Sequence, residues 1–216
     1  MQHRKQFVSD LLFGVQIVCG IVFGIGQIVR LLQTTQGVNV SWFIFWQAFN
    51  ILNLKLAERA YAVQPSRVMR QTLTSYVMWT VLVTAMLVIV GVQGNAAWDQ
   101  KDSITAAVVL TGVATIVVVA RLRQLTVYDP IVRGVLAVAC KGIPQLALAY
   151  KIALVGGAGI PAITVFLGHV TILSRLGQLG FAIAEAGWDR NRIGSAISEL
   201  SNEGSWLVTT AVWFVA

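Results

Sequence analysis

A chain of 216 residues that is 56% hydrophobic and only 12% charged has too little polar surface to cover a water-soluble globule, so a bilayer is its natural solvent. The net charge of +7 does not argue for nucleic acid, because the basic residues are dealt out among the connections between apolar stretches rather than clustered on one face. Neither metal-ligand nor cofactor spacing, nor a Ser-His-Asp constellation, nor a phosphate-cradling glycine loop is legible, which argues against an enzyme, a metal site and a cofactor.

A hydrocarbon core of roughly 30 Å needs about 20 apolar residues per helix. Seven stretches of that order follow one another: Leu11 to Leu32, Trp42 to Tyr61, Leu73 to Val92, Ile104 to Ala120, Ile131 to Ile152, Ile160 to Ile183, and Leu200 to Ala216. The first is too long for a signal-peptide core, holds Gln16 and Gln27 and lacks a small-x-small cleavage site, so it is expected to stay in the mature protein. Cys19 and Cys140 lie inside spans and read as packing residues. A cytoplasmic N-terminus collects Arg4, Lys5, Arg59, Arg67, Arg70, Arg121, Arg123, Arg133, Arg190 and Arg192 on one face, against Arg30, Lys101 and Lys151, and ten against three predicts N-inside. The longest connection is expected between spans six and seven.

Gly24-Ile25-Gly26-Gln27 in the first span matches Gly142-Ile143-Pro144-Gln145 in the fifth, and each is followed by a short loop, a glycine and another apolar span. The tails align as Gln36-Gly37-Val38 with Ala158-Gly159-Ile160 after a four-residue insertion. An even number of spans separates the copies, so both point the same way, as in a parallel repeat. The expected fold is an all-α integral membrane protein whose seven transmembrane helices form two parallel three-helix bundles, 9–93 and 130–216, joined by a linker helix within 104–122 (3+1+3).

Pro144-Gln145 near the outer end of a span, then Ala149-Tyr150-Lys151 and a Gly-rich turn, resembles the PQ-loop motif, and with the repeat it makes the chain similar to the PQ-loop, MtN3 and SWEET superfamily. The resemblance implies a transporter of a small polar solute (sugar, amino acid or vitamin-like) by alternating access. The alternative it leaves is a ligand-binding membrane receptor or sorting protein of the same fold. Gly26 stands where the first copy would carry proline, and the N-inside orientation is opposite to that usual among seven-helix relatives.

Proline inside a helix deletes a backbone hydrogen bond and clashes with the carbonyl one turn back. Pro144 is therefore expected to hinge span five, with Gln145 supplying a donor to the freed carbonyl, and Gly26 with Gln27 to form a softer break in span one. Polar groups at mid-span persist mainly where they face a cavity or a partner. Trp46, Asn50 and Asn53 share one face of span two with Gln47 beside them, a set suited to a polar organic solute, or equally to bonds between helices. Trp42 reads as an interfacial belt residue. His169 and Arg175 of span six fall opposite Gln47 and Asn53 in the repeat alignment, and Lys141 sits near the middle of span five with no obvious partner. Asn50, Asn53 and Trp46 suit a sugar, whereas Lys141, His169 and Arg175 suit a carboxylate or phosphate. Glu199 and Glu203 are expected at the start of span seven as candidate proton-coupling carboxylates, and with no acid at the exact centre of any span a passive facilitator is favoured. The expected partners are the solute and the lipid bilayer, without nucleic acid; the residues leave a monomer and a homo-oligomer both open.

Overall fold

The computed structural model describes residues 2–93 and 98–216, with side chains from Phe7 and its neighbour Gln6 onward. The side chains of Arg4 and Lys5, which enter the orientation count, lie outside those described. Among the described residues the chain is entirely helical, in seven rods: α1 (Gln2–Leu31), α2 (Val40–Val63), α3 (Arg67–Gln93), α4 (Gln100–Leu122), α5 (Pro130–Val155), α6 (Ala162–Ala186) and α7 (Arg190–Val215). Five of them, α1, α3, α4, α5 and α6, are long and apolar enough to cross a bilayer, the signature of a multi-pass membrane protein. The other two, α2 and α7, are equally long, with 24 and 26 residues, but too polar to meet that measure.

The burial pattern is inverted relative to a soluble protein. Helix α1 exposes Val18, Ile25 and Val29 while burying Gln16 and Gln27, as expected where the solvent is hydrocarbon and polar groups must find partners inside. Gln16 donates to Ser75 Oγ of α3 at 3.2 Å, and Gln27 donates to the Gly159 carbonyl at 2.8 Å.

Caps set the helix starts. Asn39 accepts from the Trp42 amide, Asp99 forms a reciprocal capping box with Asp102, Asp129 precedes Pro130, and Asp189 accepts from the Arg192 amide. The last of these corrects the expected seventh span, which begins at Arg190 rather than Leu200. It also shortens the connection expected to be longest, between α6 and α7, to residues 187–189.

Helix α3 packs between α1 and α2, and α7 packs between α5 and α6. Across these groups α1 lies against α6 and α2 against α5, while α4 rests on α5 and α2. At the end of the molecule remote from the N-terminus, the α1–α2 and α5–α6 loops interlock. The Gly159 amide donates to the Gln36 carbonyl at 2.7 Å, Gln36 Nε2 to the Val155 carbonyl at 2.6 Å, and Arg30 Nε to the Ala158 carbonyl at 2.5 Å.

At the same end Lys151 Nζ lies 3.0 Å from Asp99 Oδ2, and Asp102 Oδ1 accepts from the Ser41 amide at 2.8 Å, so α4 is tied to both α5 and α2. Burial opposes ionisation of Asp99, but the Asp102 amide and the Lys151 ammonium outweigh it and hold the carboxyl below its ordinary value. A depressed carboxylate contributes stability that is present above the unfolded pKa and is lost as pH falls through the folded one. Thermal stability of the wild type is therefore expected to fall more steeply below about pH 4 than that of Asp99→Asn. Parallel melting curves from pH 6 to 3 for both proteins would contradict this.

Candidate functional site

Where α1, α2, α3, α5, α6 and α7 converge, they line a partly open cavity of about 60 Å³. One wall is aromatic. Trp42 stacks on Trp46 at 5.4 Å between ring centroids and on Trp206 at 6.0 Å, while Phe23 meets Trp79 edge-on at 5.5 Å. Trp42 and Trp206 are the most deeply buried rings of this wall, each 2% exposed. Trp42 is thus a core residue and not the interfacial belt residue expected, since it starts α2 behind the Asn39 cap with 2% of its surface exposed.

The opposite wall is polar. Arg175 Nη2 forms an ion pair with Glu199 Oε1 at 2.9 Å and its guanidinium lies 5.9 Å from the Tyr76 ring centroid. Lys141 Nζ lies 5.8 Å from the Phe49 ring centroid and lines the same cavity. Gln145 donates to Asn202 Oδ1 at 2.9 Å and accepts from Ser205, so its amide is committed to α7. Two buried atoms on this wall region have no partner among the described residues: Asn50 Nδ2 and Glu199 Oε2.

Helix α5 delivers Lys141 and Gln145 by a local irregularity. Residues Val138–Gly142 form a π-turn, the Ile143 amide donating to the Val138 carbonyl, immediately before Pro144. Proline cannot donate to the ladder, and the extra residue of the π-turn absorbs the mismatch and re-phases the side chains by about 100°. Where a hinge was expected at Pro144, the helix continues through the proline and carries its irregularity in the residues just before it. Gln145 does not serve the freed carbonyl as expected, because its side chain is engaged by Asn202 and Ser205.

Of the residues expected to bind solute, Trp46, Asn50, Lys141 and Arg175 line the cavity, joined by Gln145 and Glu199. Gln47, Asn53 and His169 do not. Gln47 donates to Thr84 Oγ1 at 2.8 Å and ties α2 to α3, while Asn53 accepts from Arg133 at 2.7 Å and ties α2 to α5. His169 Nδ1 lies 2.7 Å from Glu203 Oε1 and its Nε2 lies 2.8 Å from Thr210 Oγ1, so it bonds α6 to α7. Helix α1 runs unbroken through Gly26, where a Cβ would come within 2.9 Å of Ile163; that glycine admits α6 and makes no break. Gln27 is spent on the α5–α6 loop.

Glu199 and Glu203 need the largest correction. With α7 starting at Arg190 they lie about two and a half and three and a half turns inside the helix, both partnered by residues of α6, so acidic residues do occur deep in a rod. Cavity residues that the sequence reading passed over include Phe23, Tyr76, Trp79, Gly168, Thr171, Ile172 and Trp206. Gly168 carried a signal: a Cβ there would lie 2.4 Å from Trp206 Nε1, and that indole donates to the Val165 carbonyl at 3.0 Å. No family model, curated protein or solved structure matches the chain.

Proposed function

We propose that the chain is a seven-span transporter of a small polar solute, alternating access between two three-helix units (9–93 and 130–216) linked by α4. The observation that carries this reading is the central cavity, where one cationic lysine, an Arg–Glu ion pair and several amides meet an aromatic wall deep among the helices. Such groups are costly in hydrocarbon and persist where they face a water-accessible path. Part of the polarity that keeps α2 and α7 below the apolar measure faces this cavity, in Asn50, Glu199 and Asn202.

The packing supports a repeat. The position of α3 between α1 and α2 corresponds to that of α7 between α5 and α6, and the α1–α6 and α2–α5 contacts exchange under the same relation. The aligned residues Gln47 and His169 each bond the middle helix of their own unit. The PQ-loop resemblance and the cytoplasmic N-terminus belong to this reading. For the solute to leave at the end remote from the N-terminus, the interlocked loops must part, and the π-turn with Pro144 is the pliable element beneath them.

Saturable solute flux in proteoliposomes tests the reading. Pro144→Ala is expected to keep ligand-induced thermal stabilisation while lowering flux by about tenfold, because it stiffens the moving helix without touching the cavity wall. Tight ligand binding with no flux in the wild type would sink transport and leave a receptor of the same fold.

A further inference from the structure

The cavity's open valences narrow the solute. Arg175 and Glu199 neutralise each other in their 2.9 Å pair, so two cations and one carboxylate leave a single positive charge, on Lys141, which forms no ion pair among the described residues. Asn50 Nδ2, in a side chain 3% exposed, is a second donor on the wall with nothing to bond. Gln145 is not free, since its side chain bonds Asn202 and Ser205, and Glu199 Oε2 is a buried acceptor without a partner among the described residues. What is left unsatisfied is therefore two donors, Lys141 and Asn50, and one carboxylate oxygen, with a net charge of +1. Beside it, Trp46, Trp79 and Tyr76 keep a little accessible surface, 7–9%, whereas Trp42 and Trp206 keep 2%.

Resting on the transport reading for its location, we infer that this cavity takes a small monocarboxylate bearing a flat aromatic ring, with the carboxylate on Lys141 and Asn50 and the ring among Trp46, Trp79 and Tyr76. One anion neutralises the site, whereas a phosphate dianion would overshoot it. A zwitterion would leave the net positive charge uncompensated, its ammonium having only the second oxygen of the Arg175-paired Glu199 to bond. A sugar, being neutral, would leave the buried positive charge uncompensated. The flat rings reward a flat partner through stacking and edge contacts.

The test is saturable quenching of tryptophan fluorescence in the full chain, reconstituted in nanodiscs, by benzoate and indole-3-acetate, with benzamide, acetate and phenylalanine as comparators. Both aromatic acids are expected to bind, with each comparator at least about tenfold weaker. Lys141→Gln is expected to weaken benzoate by at least about thirtyfold while Lys141→Arg retains it. Benzamide or phenylalanine binding as tightly as benzoate, or no binding by either acid, overturns the inference; the wild-type comparison decides this even if Lys141→Gln does not fold. The two readings fail separately. Saturable flux of a neutral solute without acid binding refutes the carboxylate and keeps transport, and acid binding without any flux does the reverse.

Discussion

Arg175→Met is expected to destabilise the protein by about 3–5 kcal/mol, the cost of leaving a buried carboxylate without its counter-charge. Glu199 is 5% exposed and its Oε2 already lacks a partner, so with Arg175 removed neither oxygen keeps its ion pair. The paired variant Arg175→Met with Glu199→Met is expected to recover most of that loss, because an apolar pair of similar volume replaces an ion pair whose desolvation consumed much of its attraction. Denaturant or thermal unfolding of the reconstituted protein gives the three stabilities needed for the cycle. A double variant as unstable as the single one would mean that the two residues are not coupled. Both variants are expected to lose solute flux, since the pair lines the cavity.

Gly37→Ala is expected to cost at least about 3 kcal/mol, combining a left-handed backbone with a steric conflict. Gly37 has φ of 77°, and a Cβ there would lie 2.1 Å from the Gly156 carbonyl oxygen. The backbone has no room to retreat, because the neighbouring Gln36 carbonyl accepts from the Gly159 amide at 2.7 Å and the Gln36 side chain grips Val155. Gly91→Ala is the matched control: it lies in α3 with nothing within 4 Å of its would-be Cβ, so it should be neutral or stabilising by up to about 1 kcal/mol. Equal melting temperatures for the two variants would show that the interlocked loops contribute nothing to stability.

Hydropathy made the rods legible, because each of the five apolar helices carries its own signal within its own residues. The same measure misplaced the start of α7, since it reads Ser195, Ser198 and Glu199 as loop. The local punctuation was the better guide there: Gly187, with φ of 72°, ends α6, and Asp189 caps the next helix two residues later. The Pro144 irregularity was likewise written locally, whereas the π-turn that accommodates it lies upstream, in residues with no distinctive composition.

Which mid-helix polar residues face the cavity and which bond another helix was not legible, because both fates need the same residue types. Gln47 and Asn50 are three residues apart on α2, yet one is held by Thr84 of α3 and the other opens onto the central space. Helix periodicity says which side chains share a face; it does not say which neighbour occupies the space opposite. By itself the sequence determined an all-helical chain suited to a bilayer, the approximate positions of its helices, and the inventory of polar groups that would need partners inside. Only the tertiary structure decided that Arg175 meets Glu199, that His169 meets Glu203, and that Lys141 forms no ion pair among the described residues, because such pairings join segments about 24 and 34 residues apart in the chain.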